Sequence, residues 1–160
     1  MLIRVLHDND VPAVACLLKA LARQFIVHES TPAGAATFLR ENDERAIRHY
    51  VAIGHVYHVA ELEGEIAGFV AVRDCHHLFH MFVGMRWQRQ GVGRQLWEVA
   101  RMKALAAAGS GKFTVNASNF AVPVYQALGF ARTAPVQLAK GLFYNPMAWW
   151  GLDDCHQQNR

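Results

Sequence analysis

The sequence predicts an α/β fold in which a mixed central sheet is flanked by helices. Two observations predict it. Short apolar runs fold back on one another around tight turns in the first half of the chain, whereas in the second half they alternate with stretches of helical period. At 160 residues the chain fits one domain, 1–160, large enough to bury roughly 70% of its unfolded surface, with 151–160 read as a tail.

The elements follow in order. Leu2 to Leu6 alternates around Arg4 and reads as a first strand. Asp10 stands as an N-cap before Val11-Pro12, and Val14, Leu17, Leu18, Leu21 and Phe25 recur at the spacing of one helix face. Thr31-Pro32 repeats the start signal for a second helix carrying Phe38 and Leu39. Tyr57 to Glu61 and Ile66 to Val72 flank Glu63-Gly64-Glu65, which predicts an antiparallel hairpin. Leu78 to Val83 is the next strand. A helix with Val92, Leu96 and Val99 on one face comes after it and ends at Gly109-Ser110-Gly111. Phe113 to Asn116 is a strand, a short helix carrying Tyr125 stops at Gly129, and the last strands lie within Phe130 to Ala139 and Leu142 to Trp149.

Composition excludes several classes. Cys16, Cys75 and Cys155 are odd in number, far apart and without a C-x-x-C pair, so neither a disulfide framework nor a zinc knuckle is supported, and a cytoplasmic setting fits best. Arg4, Asp8 and Asp10 interrupt the first ten residues, and no uncharged apolar run reaches the ~20 residues of a membrane span. A formal charge of +3 with no basic stripe favours one anionic cofactor over nucleic acid.

The run Gln88-Arg89-Gln90-Gly91-Val92-Gly93-Arg94 carries the chemistry, because it joins an apolar strand to an amphipathic helix. The first turn of a helix leaves N–H groups unpaired and concentrates partial positive charge, which suits a phosphate. Gly91 and Gly93 let a pyrophosphate approach the main chain, and Arg89 and Arg94 add charge at the rim. A Rossmann fingerprint fails here because Leu96 stands where its third glycine belongs; a Walker loop fails because Ala106 and Phe113 flank Gly111-Lys112.

Gln88, Gly91 and Gly93 satisfy the Q/R-x-x-G-x-G/A signature, Val115 to Asn119 leads into a Tyr125-x-x-Leu128-Gly129-Phe130 ending, and Phe143 to Met147 supplies a last strand. In these blocks, over about Arg4 to Ala148, the chain resembles the GNAT superfamily of N-acetyltransferases. The resemblance implies a largely antiparallel sheet whose central strands splay apart, so that pantetheine of acetyl-CoA lies between the strand ending at Val83 and the one ending near Asn116. It implies cofactor contacts from Phe82, Val83, residues 88–94, Asn116 and Ser118, with a backbone N–H near Val83 polarising the thioester carbonyl. Tyr125 matches the family's general acid, and a phenol near pKa 10 can protonate a thiolate near 8.5.

The acceptor is expected to be a primary amine on a small molecule, a peptide or a protein. An alkylammonium near pKa 10 is about one part in a thousand neutral at pH 7, which costs roughly 4 kcal/mol. A base should help, and His80, three residues before Val83, is the candidate, although the family more often has an acid on this strand. Glu29, between the first two helices, is the alternative. No metal is expected: His76 and His77 point to opposite faces of a strand, and His76 and His80 stand too far apart to share an ion. Trp149 and Trp150 cover core or a homodimer surface. A non-catalytic CoA-binding regulatory module is the competing class, disfavoured by Tyr125, and the absence of cysteine at either motif argues for direct attack in a ternary complex.

Overall fold

Alternating apolar residues and two turn residues in left-handed conformation, Glu63 (φ 52°) and Gly64 (φ 78°), make a tight hairpin of β2 (Val56–Leu62) and β3 (Glu65–Arg73). The computed structural model describes residues 1–151. Around the hairpin the sheet builds outward in the order β1-β2-β3-β4-β5-β8-β6, with β7 also on β8. The remaining strands are β1 (Leu2–Val5), β4 (His77–Val83), β5 (Lys112–Ala117), β6 (Ala131–Arg132), β7 (Gln137–Ala139) and β8 (Leu142–Trp150). Every pairing is antiparallel except β4 with β5. The expected tail, 152–160 with Cys155, lies outside the described residues; Gly151 still bonds through its N–H to the Gly111 carbonyl.

Helices cover both faces. On one, α1 (Val11–Phe25) places Val14, Leu18 and Ala22 with Ile47 of α3 (Glu44–Ala52) against Tyr57, Val59 and Phe69. On the other, α4 (Val92–Ala107) places Leu96, Trp97 and Ala100 against Val70, Val72, Phe113 and Val115. Two shorter helices, α2 (Pro32–Arg40) and α5 (Val122–Ala127), complete the set. Among the described residues, no helix is long and apolar enough to cross a membrane.

Two local expectations are corrected. Asp10 does not cap α1 through its side chain; its carboxylate is drawn instead to the Arg4 guanidinium, at 2.7 and 3.0 Å, and also accepts the His7 N–H. A charge-assisted, two-pronged bond outcompetes a cap that Pro12 has already made less necessary. Helix α3 goes unseen in the sequence because only Ile47 is buried on it, although its start is marked by Asp43, whose carboxylate accepts the Ala46 N–H at 2.8 Å. Thr31 caps α2 as its residue type predicts, accepting from Gly34 N–H at 3.1 Å.

One glycine sets the spacing of β3 and β4. A Cβ at Gly68 would stand 2.8 Å from the Phe82 carbonyl oxygen and 3.3 Å from Leu96, in the middle of the sheet beneath α4. Gly68→Ala therefore forces backbone apart and is expected to lower stability by about 1–3 kcal/mol. Chemical denaturation checks this, and an unchanged midpoint would show that the sheet yields there freely.

Candidate active site

Strands β4 and β5 are paired only at His77↔Thr114 and Leu78↔Val115, and then they part. A 2.7 Å hydrogen bond between His77 Nδ1 and Thr114 Oγ1 pins the closed end. Beyond it β5 remains on β8 down to Ala117↔Asn145, and the fully buried Asn145 side chain donates to the Ala117 carbonyl at 3.0 Å. So β5 is held away from β4, and a gap runs through the sheet.

A bulge sharpens the gap. In the β3–β4 register Val72 faces Leu78 and Ala71 faces His80, so Phe79 is an extra residue on β4. The bulge breaks the alternation: Leu78, Met81 and Val83 pack on the α4 side, while Phe79 and Phe82 pack on the α1 side. It also sets the backbone. The Gly84 N–H bonds to the Ala67 carbonyl across β3 at 2.8 Å, so Val83, one residue back, turns its N–H and C=O toward the gap. Gln88 Nε2 donates to that carbonyl at 2.9 Å. The Val83 N–H is left facing the gap, where the carbonyl donor was expected.

The gap opens into a cavity of about 710 Å³ that reaches from the start of α4 to the C-terminal end of α1. Gly91 is the N-cap of α4 at φ +83°, Arg89 two residues earlier is at φ +61°, and the first residues of α4, whose N–H groups lack intrahelical partners, line the cavity. Val92 and Gly93 follow in the wall, and Arg94 is steadied by donating to the Ala127 carbonyl at 3.0 Å. Asn116 and Ser118 line the β5 side, and Ser118 Oγ accepts the Ala121 N–H ahead of α5. Phe82, Val83 and Gln88 line the β4 side. Gln90 is the exception: its amide donates to the Arg86 carbonyl, and it is not part of the wall.

Tyr125 stands on α5 in the cavity wall, with its ring edge-on to Phe130 at 5.5 Å. Burial pushes its phenol well above the ordinary value, so it keeps its proton at every working pH. His80 is in a different situation from a solvent-facing base. Asn42 donates through Nδ2 to the Phe38 carbonyl, so its Oδ1 accepts from His80 Nε2 at 2.7 Å, and His80 Nδ1 takes the Tyr57 hydroxyl at 3.1 Å. Both ring nitrogens are engaged, and burial pushes the ring down to about 3. Glu29 lies outside the wall; its carboxylate accepts from Asn119 Nδ2 at 2.8 Å. Among the described residues, no group of three or more His, Cys, Asp or Glu side chains is placed to hold a metal.

The sequence reading missed Asn42 and Tyr57 as partners of His80, and it missed the aromatic wall of Phe25, Phe38 and Phe120. Phe25 and Phe120 stack with centroids 3.9 Å apart, a contact between residues 95 positions apart that no local pattern announces.

A helix start, a strand gap and a tyrosine thus meet in one cavity, and the acetyltransferase (GNAT) domain family matches residues 26–150, most of the chain. The chain belongs to the GNAT family. Solved GNAT structures share the fold. A GCN5-related N-acetyltransferase from Rhodopseudomonas palustris superposes with a TM-score of 0.77 at 19% identity, over 94% of this chain and 95% of that one. The PaiA N-acetyltransferase from Thermoplasma acidophilum, solved in complex with coenzyme A, gives 0.74 at 11% identity, over 94% and 100%. A ribosomal-protein-alanine N-acetyltransferase from Brucella melitensis gives 0.69 at 19%, over 94% and 100%. No curated protein matches the chain in sequence.

Two histidines of this GNAT chain, His80 buried and His77 half-buried, make its stability depend on pH. Burial holds His80 near 3 and His77 near 4, below the ordinary 6.5. Between those values and 6.5 the unfolded chain binds protons that the fold excludes, so this stabilisation is complete above pH 6.5 and is lost as pH falls. His80 alone is expected to contribute a slope of up to about 1.4 kcal/mol per pH unit. Calorimetric unfolding at about pH 7.5 and pH 5 reads the loss, which shrinks in His80→Gln; an unaltered slope would mean that the ring titrates freely in the fold.

Proposed function

We propose that this GNAT chain is an acetyl-CoA-dependent N-acetyltransferase that transfers the acetyl group to a primary amine by direct attack. The observation that carries the reading is the convergence, in one cavity, of the α4 start, the free Val83 N–H and Tyr125. Each answers one need of amide formation from a thioester.

The first turn of α4 supplies oriented N–H groups and Arg89 and Arg94 supply charge, which together suit a pyrophosphate. The parted edges of β4 and β5 offer backbone groups to the amides of pantetheine, in the way a strand adds to a sheet edge. Val83 N–H, aimed into the gap, stabilises the oxygen of the thioester carbonyl as negative charge grows on it, a contribution of about 3 kcal/mol for a well-placed donor. As the C–N bond forms and the C–S bond breaks, Tyr125 holds a proton beside the departing sulfur. The thiolate would form in the same apolar surroundings that raise the phenol, so its own proton affinity rises with it.

His80 is proposed here in a changed role. With Nε2 bonded to Asn42 and Nδ1 bonded to Tyr57, it has no free lone pair for an ammonium proton, and it positions the bulged segment of β4 from the α1 side. The ammonium then sheds its proton to water before it reaches the thioester, and the rate follows the free-base fraction of the amine.

Two variants test the site. Gly91→Val places a β-branched residue at φ +83° at the head of α4, and calorimetry should show coenzyme A affinity falling at least about tenfold; intact affinity would remove α4 as the phosphate site. Tyr125→Phe keeps the ring and its contact with Phe130, so kcat should drop about 100-fold while coenzyme A affinity holds. Equal turnover by the two proteins would assign the proton to solvent.

A further inference from the structure

The acceptor end of the cavity differs in character from the cofactor end, and the following inference rests on the transferase reading. On the α1 face of β4 the wall is Leu21, Phe25, Ile26, Phe38, Phe79 and Phe82. The bulge at Phe79 makes this possible, because it turns Phe79 and Phe82 to one side of the sheet. The Phe25 and Phe120 stack closes the wall between α1 and the loop before α5. His80 is the polar residue at this end, and it is neutral with both nitrogens bonded.

Charge is distributed in a way that decides the matter. Among the described residues that line the cavity none is acidic, and the charged ones are Arg89 and Arg94, both cations beside α4. Glu29 turns its carboxylate to Asn119 and His28 and stays out of the wall. A second ammonium carried into this chamber would give up its hydration and meet no counter-ion, and the phenylalanine faces attract a cation too weakly to replace that hydration. An aromatic ring meets edges and faces of other rings, the contacts it prefers. The reacting amine enters as the free base, since an apolar site disfavours the charged form.

We propose that the acceptor is a monoamine whose one amino group is carried on an aromatic or bulky apolar body, and that polyamines and lysine side chains of basic peptides are excluded. Its free-base nitrogen forms the C–N bond as the C–S bond breaks and gives up one proton to water, the thiolate takes up one proton from Tyr125, which water restores, and the products are an apolar amide and free coenzyme A. The cost of excluding cations falls on the carboxylates that the wall lacks, so specificity here comes from rejection as much as from contact.

The test uses the full chain with acetyl-CoA and compares 2-phenylethylamine, spermidine and a lysine-rich peptide by thiol release, alongside calorimetric binding of 2-phenylethylamine to the protein saturated with coenzyme A. The expected result is a kcat/KM for 2-phenylethylamine at least about 100-fold above that for spermidine or the peptide. Phe38→Ala should raise KM for 2-phenylethylamine about tenfold while coenzyme A affinity, the measure of an intact fold, stays the same. Binding of 2-phenylethylamine with no turnover of any amine would overturn the transferase reading and, with it, the acceptor inferred here. Preferred acetylation of spermidine or the peptide would overturn this inference and keep the transferase reading. The same amines are assayed with octanoyl-CoA, and a preference for that donor with no selectivity among amines would assign the chamber to the acyl chain, which also overturns it.

Discussion

The parting of β4 from β5 after two paired residues is the constraint on which the rest of the site depends. A sheet normally hides its backbone polar groups in ladders, and each buried group left without a partner costs about 1–3 kcal/mol. This fold accepts an open ladder in its centre and limits the damage locally. Gln88 caps the Val83 carbonyl, and β5 is tied along its other edge to β8, with Asn145 holding the Ala117 carbonyl. What stays open is a strip of main chain between β4 and β5, along the cavity. His77 and Thr114, joined by a side-chain bond, form the first of the two pairs that precede the parting at Leu78 and Val115.

The bulge at Phe79 then assigns chemistry to faces. Strict alternation would put Leu78, His80 and Phe82 together and Phe79 with Met81 and Val83. The extra residue instead sends Leu78, Met81 and Val83 to the α4 side and Phe79 and Phe82 to the α1 side. One face receives the polar, cation-rimmed helix start and the other receives aromatic rings. A single inserted residue thus separates the cation-rimmed start of α4 from the aromatic wall.

Much of this was legible in the sequence. The glycine run, the strand before it and the tyrosine before Leu128-Gly129-Phe130 are local patterns, and local patterns survive folding because backbone conformation at Gly91 and the start of α4 is decided by a few adjacent residues. What was not legible depends on distance or on phase. His80 looked like a base because its neighbours in the sequence are apolar strand residues; its partners Asn42 and Tyr57 come from 38 and 23 residues away, and they occupy both ring nitrogens. Helix α3 carries charged and polar residues on most of its surface and buries only Ile47, so its apolar stripe is too thin to read. Asp10 occupies the N-cap position that its place before α1 predicts, yet Arg4 on β1 holds its carboxylate away from the helix.

The division into two faces bears on the order of chemical events. A cavity that runs through the sheet can hold the cofactor from the α4 side and the acceptor from the α1 side at once, so neither has to leave for the other to enter. A relay through an acetylated cysteine would need a thiol in the wall. Among the described residues, Cys16 is exposed on α1, Cys75 lies in the turn before β4, and neither lines the cavity. The contacts that span the two sides point the same way. Phe25 on Phe120 and Glu29 with Asn119 tie the end of α1 to the loop between β5 and α5, so the wall of the acceptor chamber is built partly on the strand that borders the cofactor gap. That loop continues directly from β5. The two sides of the cavity therefore share β5 and the loop after it, an arrangement that fits the proposed direct transfer between two bound substrates.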